Sequence, residues 1–343
     1  MVVPFHTLTG EIARRLAALL IALALVGGLA APAAAQEATP GAGTPSAGTP
    51  AASVVGLGGV DLAAAAAGLI AVQDAGGGFI GFSGDADPGV TTDAVMALVA
   101  AEEAGVDVGD SIDLALGYLE SEGAAYAEIG IGQAAKLVLA VVAAGADPAA
   151  FGGTDLVEAI EGIEIVDGVI GTGYFDAAYV TLAAAALESE RTSEFSDALL
   201  AGQLEDGSWA YSPGAAVGDG DSNTTALALQ AIVATGNAED PAIEAGLAYL
   251  ATVRAENGGY GYAAVTDVPT VADANSTALV IQALIATSTP VDDAGFQADT
   301  EALAAFQLES GQFAYLLDDP TDNLFATVQA IPAAAGLPLP VAA

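Results

Sequence analysis

Short polar clusters recur in this sequence immediately ahead of apolar runs: Thr91-Thr92-Asp93, Asp221-Ser222-Asn223-Thr224, Asp273-Ala274-Asn275-Ser276-Thr277 and Asp322-Asn323. Side chains of these types do one of two things. They cap helices, accepting the orphan N–H groups of a first turn, where the helix dipole favours Asp. Alternatively, where several helices start at one end of an assembly, they line a common mouth. Converging dipoles, carboxylates and amides then make a polar ligand site over an apolar shaft. The second reading gathers Asp93, Asp176, Asp221, Asn223, Asp273, Asn275 and Asp322 as one candidate site. Tyr174, Tyr211, Tyr260, Tyr262 and Tyr315, between the runs, are candidates to stack on a ligand there. Lys136 lies inside an apolar run, where a buried charge needs a partner: a neighbouring carboxylate, or an anionic group of a ligand.

Composition narrows what such a site can do. The chain has 44 Asp and Glu against 5 Lys and Arg, a formal charge of −39, one His and no Cys. Arg14-Arg15, an apolar run over 16–30 and Pro32-Ala33-Ala34-Ala35 have the three regions of a secretory signal. Export with cleavage after Ala35 is therefore expected, with no membrane association afterwards. His6 leaves with that segment, and Lys136, Arg191 and Arg254 are the cations that remain. Without His or Cys, no Ser-His-Asp or Cys-His nucleophile can be assembled, nor a His/Cys zinc site. Three cations make no basic patch, which excludes nucleic acid and anionic lipid as partners. Chemistry is left to carboxylates, hydroxyls, amides or a bound cation. Acidic loops at 84–87, 218–221 and 318–322 offer oxygens to calcium but lack EF-hand spacing, so no metal or cofactor is assigned. A carboxylate pair would serve a glycoside hydrolase, but among so many acids some pair always fits.

The elements that position these residues are helices. Residues 36–54 are rich in Pro, Thr, Gly and Ala and read as a flexible linker, and 55–343 as one domain. Amphipathic segments are expected over 60–74, 110–122, 154–163, 193–204, 241–256 and 294–308. Segments apolar nearly all round are expected over 91–104, 132–144, 176–187, 223–235, 275–287 and 323–335. A helix with one polar face belongs outside, and one apolar on every face belongs among others. Six such pairs without evident end caps favour a closed ring over an open solenoid. The expectation is all-α, an (α/α)6 toroid with an apolar inner barrel and an amphipathic outer ring. Strand-like alternation is almost absent, with 79–82 the best candidate.

A repeat marks the outer-to-inner passages. Gln203-x-x-x-Gly207-x-Trp209 returns as Gln73, Gly77, Phe79; as Arg254, Gly258, Tyr260; and as Gln307, Gly311, Phe313. Two further copies are eroded, around Gly123 and at Gly171-Thr172-Gly173-Tyr174. The frame resembles the Gln-Trp repeat of squalene and hopene cyclases. The surrounding pattern looks like the prenyltransferase and terpene-cyclase α/α toroid superfamily, which includes the cobalamin carriers and related secreted bacterial toroids. The resemblance covers 56–336 and is specific for fold. It implies a structural role for the repeat, with Gln capping an outer-helix end and the aromatic packing in the following turn.

For activity the resemblance implies less. Terpene cyclases protonate an alkene from an Asp-x-Asp-Asp motif, but Asp85-Ala86-Asp87-Pro88 and Asp219-Gly220-Asp221-Ser222 each lack the last Asp. One Trp and Ala-rich inner helices are poor material for the aromatic cavity such chemistry needs. The zinc of protein prenyltransferases has no His or Cys to hold it. The cobalamin carriers add a small β-domain, for which nothing after Ala335 provides. The expected function is a secreted, monomeric, non-catalytic toroid that binds a small ligand, corrinoid-like or other, or a cell-surface partner at its mouth. The alternative is a terpene-cyclase-like or carboxylate-dependent glycoside-hydrolase-like enzyme.

Overall fold

The computed structural model describes residues 53–265, 268–290 and 292–341. The expected signal and nearly all of the linker lie outside them. After a single 3₁₀ turn (Leu57–Gly59), the chain runs α1 (Leu62–Ile70), α2 (Pro88–Glu103), α3 (Ser111–Ala127), α4 (Ile131–Ala143) and α5 (Leu156–Glu161). Then come β1 (Ile165–Val166), β2 (Val169–Ile170), α6 (Tyr174–Ala186), α7 (Thr192–Leu200), α8 (Ser222–Ala234) and α9 (Pro241–Thr252). The last elements are α10 (Ala274–Ala286), α11 (Ala294–Ala304), β3 (Phe313–Leu316), β4 (Asp319–Asn323) and α12 (Leu324–Ala335).

Even-numbered helices pack successively on one another, and α12 returns to α2, so the inner ring closes. Each outer helix lies against its inner partner: α3 is wedged between α2 and α4, and α7 between α6 and α8. An inner helix is therefore covered on its back and on both flanks, and only a narrow stripe faces the shaft. That is why α8 buries Thr224 through Ile232 without a break. The 3₁₀ turn packs on α11 and α12, so the start of the domain clasps its end. Among the described residues no helix is long and apolar enough to cross a membrane.

The repeat does more than cap a helix end. Gln73 Nε2 donates to Gly77 O and to Ser111 O, where the next outer helix begins, both at 2.9 Å. Gln203 Nε2 does the same to Gly207 O and Ala242 O at the start of α9. Gln307 bonds Asp61 ahead of α1 in both directions, its Nε2 donating to Asp61 O and its Oε1 accepting from Asp61 N. In the remaining copy, Arg254 Nε donates to Asp299 Oδ1 of α11 at 2.7 Å, and the Tyr260 hydroxyl donates to the other oxygen. The Gln or Arg thus ties α1 to α3, α7 to α9, α9 to α11 and α11 back to α1. Gly311 (φ 89°) lies so close to the Ala64 carbonyl that a Cβ would strike it. The aromatic of each frame is buried, and its N–H donates to an inner-helix threonine: Phe79 to Thr91, Trp209 to Thr225, Tyr260 to Thr277 and Phe313 to Thr327.

Among the described residues, named strands are confined to two short hairpins, and at 79–82, the best strand-like candidate, only isolated bridges form. Between β1 and β2, Asp167 (φ 51°) and Gly168 (φ 82°) both take positive φ, the backbone a two-residue hairpin turn needs. Past α12, Gly336 (φ 78°) ends the helix in the left-handed conformation. The tail then reaches α8, where Leu339 N donates to Gln230 Oε1 at 2.8 Å, and Leu339 and Val341 are buried.

Candidate functional site

All six outer-to-inner loops lie at the N-terminal end of the inner ring. There the first turns of α2, α4, α6, α8, α10 and α12 surround one cavity of about 520 Å³. Asp221 and Asp273 are the N-caps of α8 and α10. Asp221 accepts from Thr224 N and Thr224 Oγ1 at 2.8 and 2.9 Å. Asp273 accepts from Ser276 N and Ser276 Oγ, both at 2.8 Å. Capping and mouth-lining therefore coincide, because the capping carboxylate also stands in the cavity wall. Burial pushes both carboxyls up to about 6, against hydrogen bonds from Thr224 and Tyr262 on one and from Ser276 on the other.

Asp93, Asp176, Asn223, Asn275 and Lys136 also line the cavity, though two of them do not sit as helix starts. Helix α2 begins a turn earlier than expected, capped by Asp87, so Asp93 is inside it. Asp93 faces Lys136 on the neighbouring inner helix α4, its two oxygens 2.7 and 2.8 Å from Nζ. Lys136 therefore has the carboxylate partner that a buried charge requires and also reaches the cavity. Burial opposes its charge, but Asp93, Tyr126 and Tyr179 hold it protonated, above the ordinary lysine range. Asp176 lies in the first turn of α6, whose cap is Gly173, and accepts from Thr172 N and Thr172 Oγ1.

Three of the residues expected in the mouth are elsewhere. Asp322 is exposed on β4 and accepts from Ser310, and Asn323 caps α12 in its place. Tyr260 is held between outer elements by Asp299, because its position is the buried aromatic of the repeat. The Tyr174 ring lies against Gly202 rather than in the cavity wall. Among the described residues no three carboxylates are grouped to hold a metal ion. In the acidic loops, Asp87 caps α2 and Asp219 accepts from Ala216 N.

The expectation of a cavity poor in aromatics is overturned. Tyr126, Tyr179, Tyr211, Tyr262, Tyr315, Phe82, Phe175 and Phe325 all line it. Phe175 meets Tyr179 edge-on at 5.2 Å and Tyr211 at 5.7 Å, and Phe82 stacks on Phe325 at 4.5 Å. The count of Trp was a poor guide, since Tyr and Phe supply the rings. Tyr179 was discoverable: an aromatic four residues after Phe175 shares its helix face. Gln133 and Gln329, also in the wall, are amides in otherwise apolar runs. Asn275 Oδ1 and Gln329 Oε1 are buried acceptors without a hydrogen-bond partner. At and beyond the cavity rim, every outer-to-inner loop shows an exposed apolar side chain: Phe82, Ile129, Val166, Val217, three valines at 265, 268 and 271, and Leu317.

No protein-family model matches the sequence, and no curated protein matches it. Solved structures do. The type II terpene cyclase MstE from Scytonema superposes with TM-score 0.56 at 17% identity, over 80% of this chain and 96% of that one. The GH76A α-1,6-mannanase of a Salegentibacter species gives 0.58 at 12%, over 80% and 98%. A protein from Actinoplanes gives 0.57 at 15%, over 80% and 97%. At such identities the likeness speaks for architecture alone, and with the closed double ring it makes the chain an α/α toroid of the kind shared by type II terpene cyclases and GH76 mannanases.

Proposed function

We propose that the protein is an exported toroid that binds a small organic ligand in the cavity at the N-terminal end of its inner ring. One observation carries this reading: two buried acceptors in the cavity region, Asn275 Oδ1 and Gln329 Oε1, have no partner. An unmet buried acceptor costs about 1–3 kcal/mol, and a ligand donor would remove that cost. The ring faces around them supply flat apolar area, the combination expected of a small-molecule site. A thermal-shift screen of the secreted chain tests this, with unfolding followed through Trp209, which is buried outside the cavity. A ligand that binds only the folded state raises the melting temperature by mass action. Asn275→Leu and Gln329→Leu should abolish the shift while leaving the unliganded melting temperature unchanged or raised. If the shift persists in both variants, the ligand sits elsewhere and the reading fails.

A second reading, catalysis, has its own support. Carboxylic acids held near 6 in an aromatic cavity suit general acid chemistry at neutral pH. Under this reading Asp221→Asn or Asp273→Asn would abolish turnover of a polyprene or glycoside and leave its binding intact. Loss of binding with no turnover in the parent protein decides for the non-catalytic module.

A further inference from the structure

We propose that the ligand of this cavity is a small organic cation, a quaternary ammonium or protonated amine with apolar substituents, held between tyrosine faces and the carboxylates of Asp176, Asp221 and Asp273. The proposal rests on the reading that the cavity binds a small molecule, and it names the charge of that molecule.

Lys136 is the only cation in the cavity wall, and both oxygens of Asp93 engage it at 2.7 and 2.8 Å. That pair is internally neutral. The other cations beyond residue 35, Arg191 and Arg254, lie in the outer layer and pair with Glu194 and Asp299. Asp176, Asp221 and Asp273 take hydrogen bonds only from neutral groups: Thr172 on the first, Thr224, Tyr262 and the Asn223 backbone on the second, and Ser276 and the Asn275 backbone on the third. Three carboxylates therefore face the cavity with no countercharge. An anionic ligand would be repelled, and a neutral one would gain hydrogen bonds but no charge pairing.

Tyrosines of the cavity wall stand near each of the three. Tyr211 is pushed up by burial and by the nearby charge of Asp176, with Asp221 adding to it. Tyr262 is hydrogen-bonded to Asp221, and Tyr315 feels Asp273. A cation over a ring face within about 6 Å is attracted by its quadrupole, more strongly when desolvated. The protein already uses this contact internally, because Lys136 Nζ lies 5.6 Å from the Tyr179 ring centre. The opposing feature is the helix dipole, worth about half a positive charge at each N-terminus. Four of the six inner helices answer it with a capping side chain, Asp87, Asp221, Asp273 or Asn323. That leaves the ends of α4 and α6 without such a cap, and Asp176 stands in the first turn of α6.

Calorimetry on the secreted chain with three probes of one shape tests the proposal: choline, its neutral isostere 3,3-dimethylbutanol, and the anion 3,3-dimethylbutanoate. Choline should bind at least tenfold more tightly than the alcohol, and the anion should not bind. Asp176→Asn, which keeps the Thr172 contacts available, should reduce the choline preference several-fold at unchanged melting temperature. Tyr211→Leu should weaken choline more than the alcohol. Equal binding of choline and alcohol, or tighter binding of the anion at the bare ends of α4 and α6, would overturn the cation assignment while leaving a cavity that binds. Absence of binding by all three also overturns it. The cavity reading then falls only if the wider ligand screen is empty too.

Discussion

Asp221 and Asp273 show how one side chain comes to hold two roles. Each caps a helix and is thereby buried in a cavity wall, and burial without a cation raises its carboxyl to about 6 from 3.8. Between those two values the folded state binds more protons than the unfolded state. The stabilisation this brings is complete below about pH 4 and is lost as pH rises through 6. Acidification from pH 7 to pH 5 should therefore raise the melting temperature, and Asp221→Asn with Asp273→Asn should flatten that slope. A slope unchanged in the double variant would assign it to repulsion among the surface acids instead. The Lys136–Asp93 pair makes a different prediction. Asp93→Asn leaves a buried cation unpaired and should cost about 3–5 kcal/mol in urea melts. Asp93→Leu combined with Lys136→Met should recover most of the loss, as expected of a buried pair whose Coulomb gain and desolvation cost nearly cancel.

Among the elements, the repeat acts as a fastener between neighbouring outer helices. Its parts share the work: an amide or guanidinium reaching the next helix, a glycine allowing close approach, and an aromatic whose N–H meets an inner-helix threonine. Thr225→Val removes the acceptor for Trp209 N, bonded at 2.9 Å in a buried setting, and should cost about 1–3 kcal/mol. Gly311→Ala should cost more than that, because it adds a backbone clash with Ala64 to an unfavourable positive φ. Equilibrium denaturation of the two variants measures both. The periodic Gln, Gly and aromatic positions were legible in the sequence because they recur in one frame. The partners Ser111, Ala242 and Asp61 were not, because they lie 38, 39 and 246 residues away.

The whole molecule is a ring closed twice, by α12 against α2 and by Gln307 against Asp61. An open solenoid frays from its ends because each repeat contacts only its neighbours. A closed ring has no such end, so unfolding should be one cooperative step. Melts followed by Trp209 fluorescence and by helical circular dichroism should coincide. Gln307→Ala should lower both together, whereas separation of the two curves would show that the seam opens first. The tail adds a further tie, with Leu339 bonded to Gln230 across the inner ring.

The sequence by itself determined the twelve helices, their alternation of amphipathic and apolar kinds, and hence the double ring. These depend on short-range periodicity and on which faces need covering. It also determined that no disulfide or thiol chemistry is available, since the chain has no Cys. Asp221, Asp273, Asn223 and Asn275 were readable because a helix start is a local signal. Only the tertiary structure decided which side chains meet in the shaft. Tyr126, Tyr179, Phe82 and Phe325 come from different helices and loops, and the rotation of each helix about its own axis turns a ring inward or outward. Tyr174 turns away for that reason, Tyr260 because its loop position is the buried aromatic of the repeat, and Lys136 finds Asp93 only because α4 packs on α2.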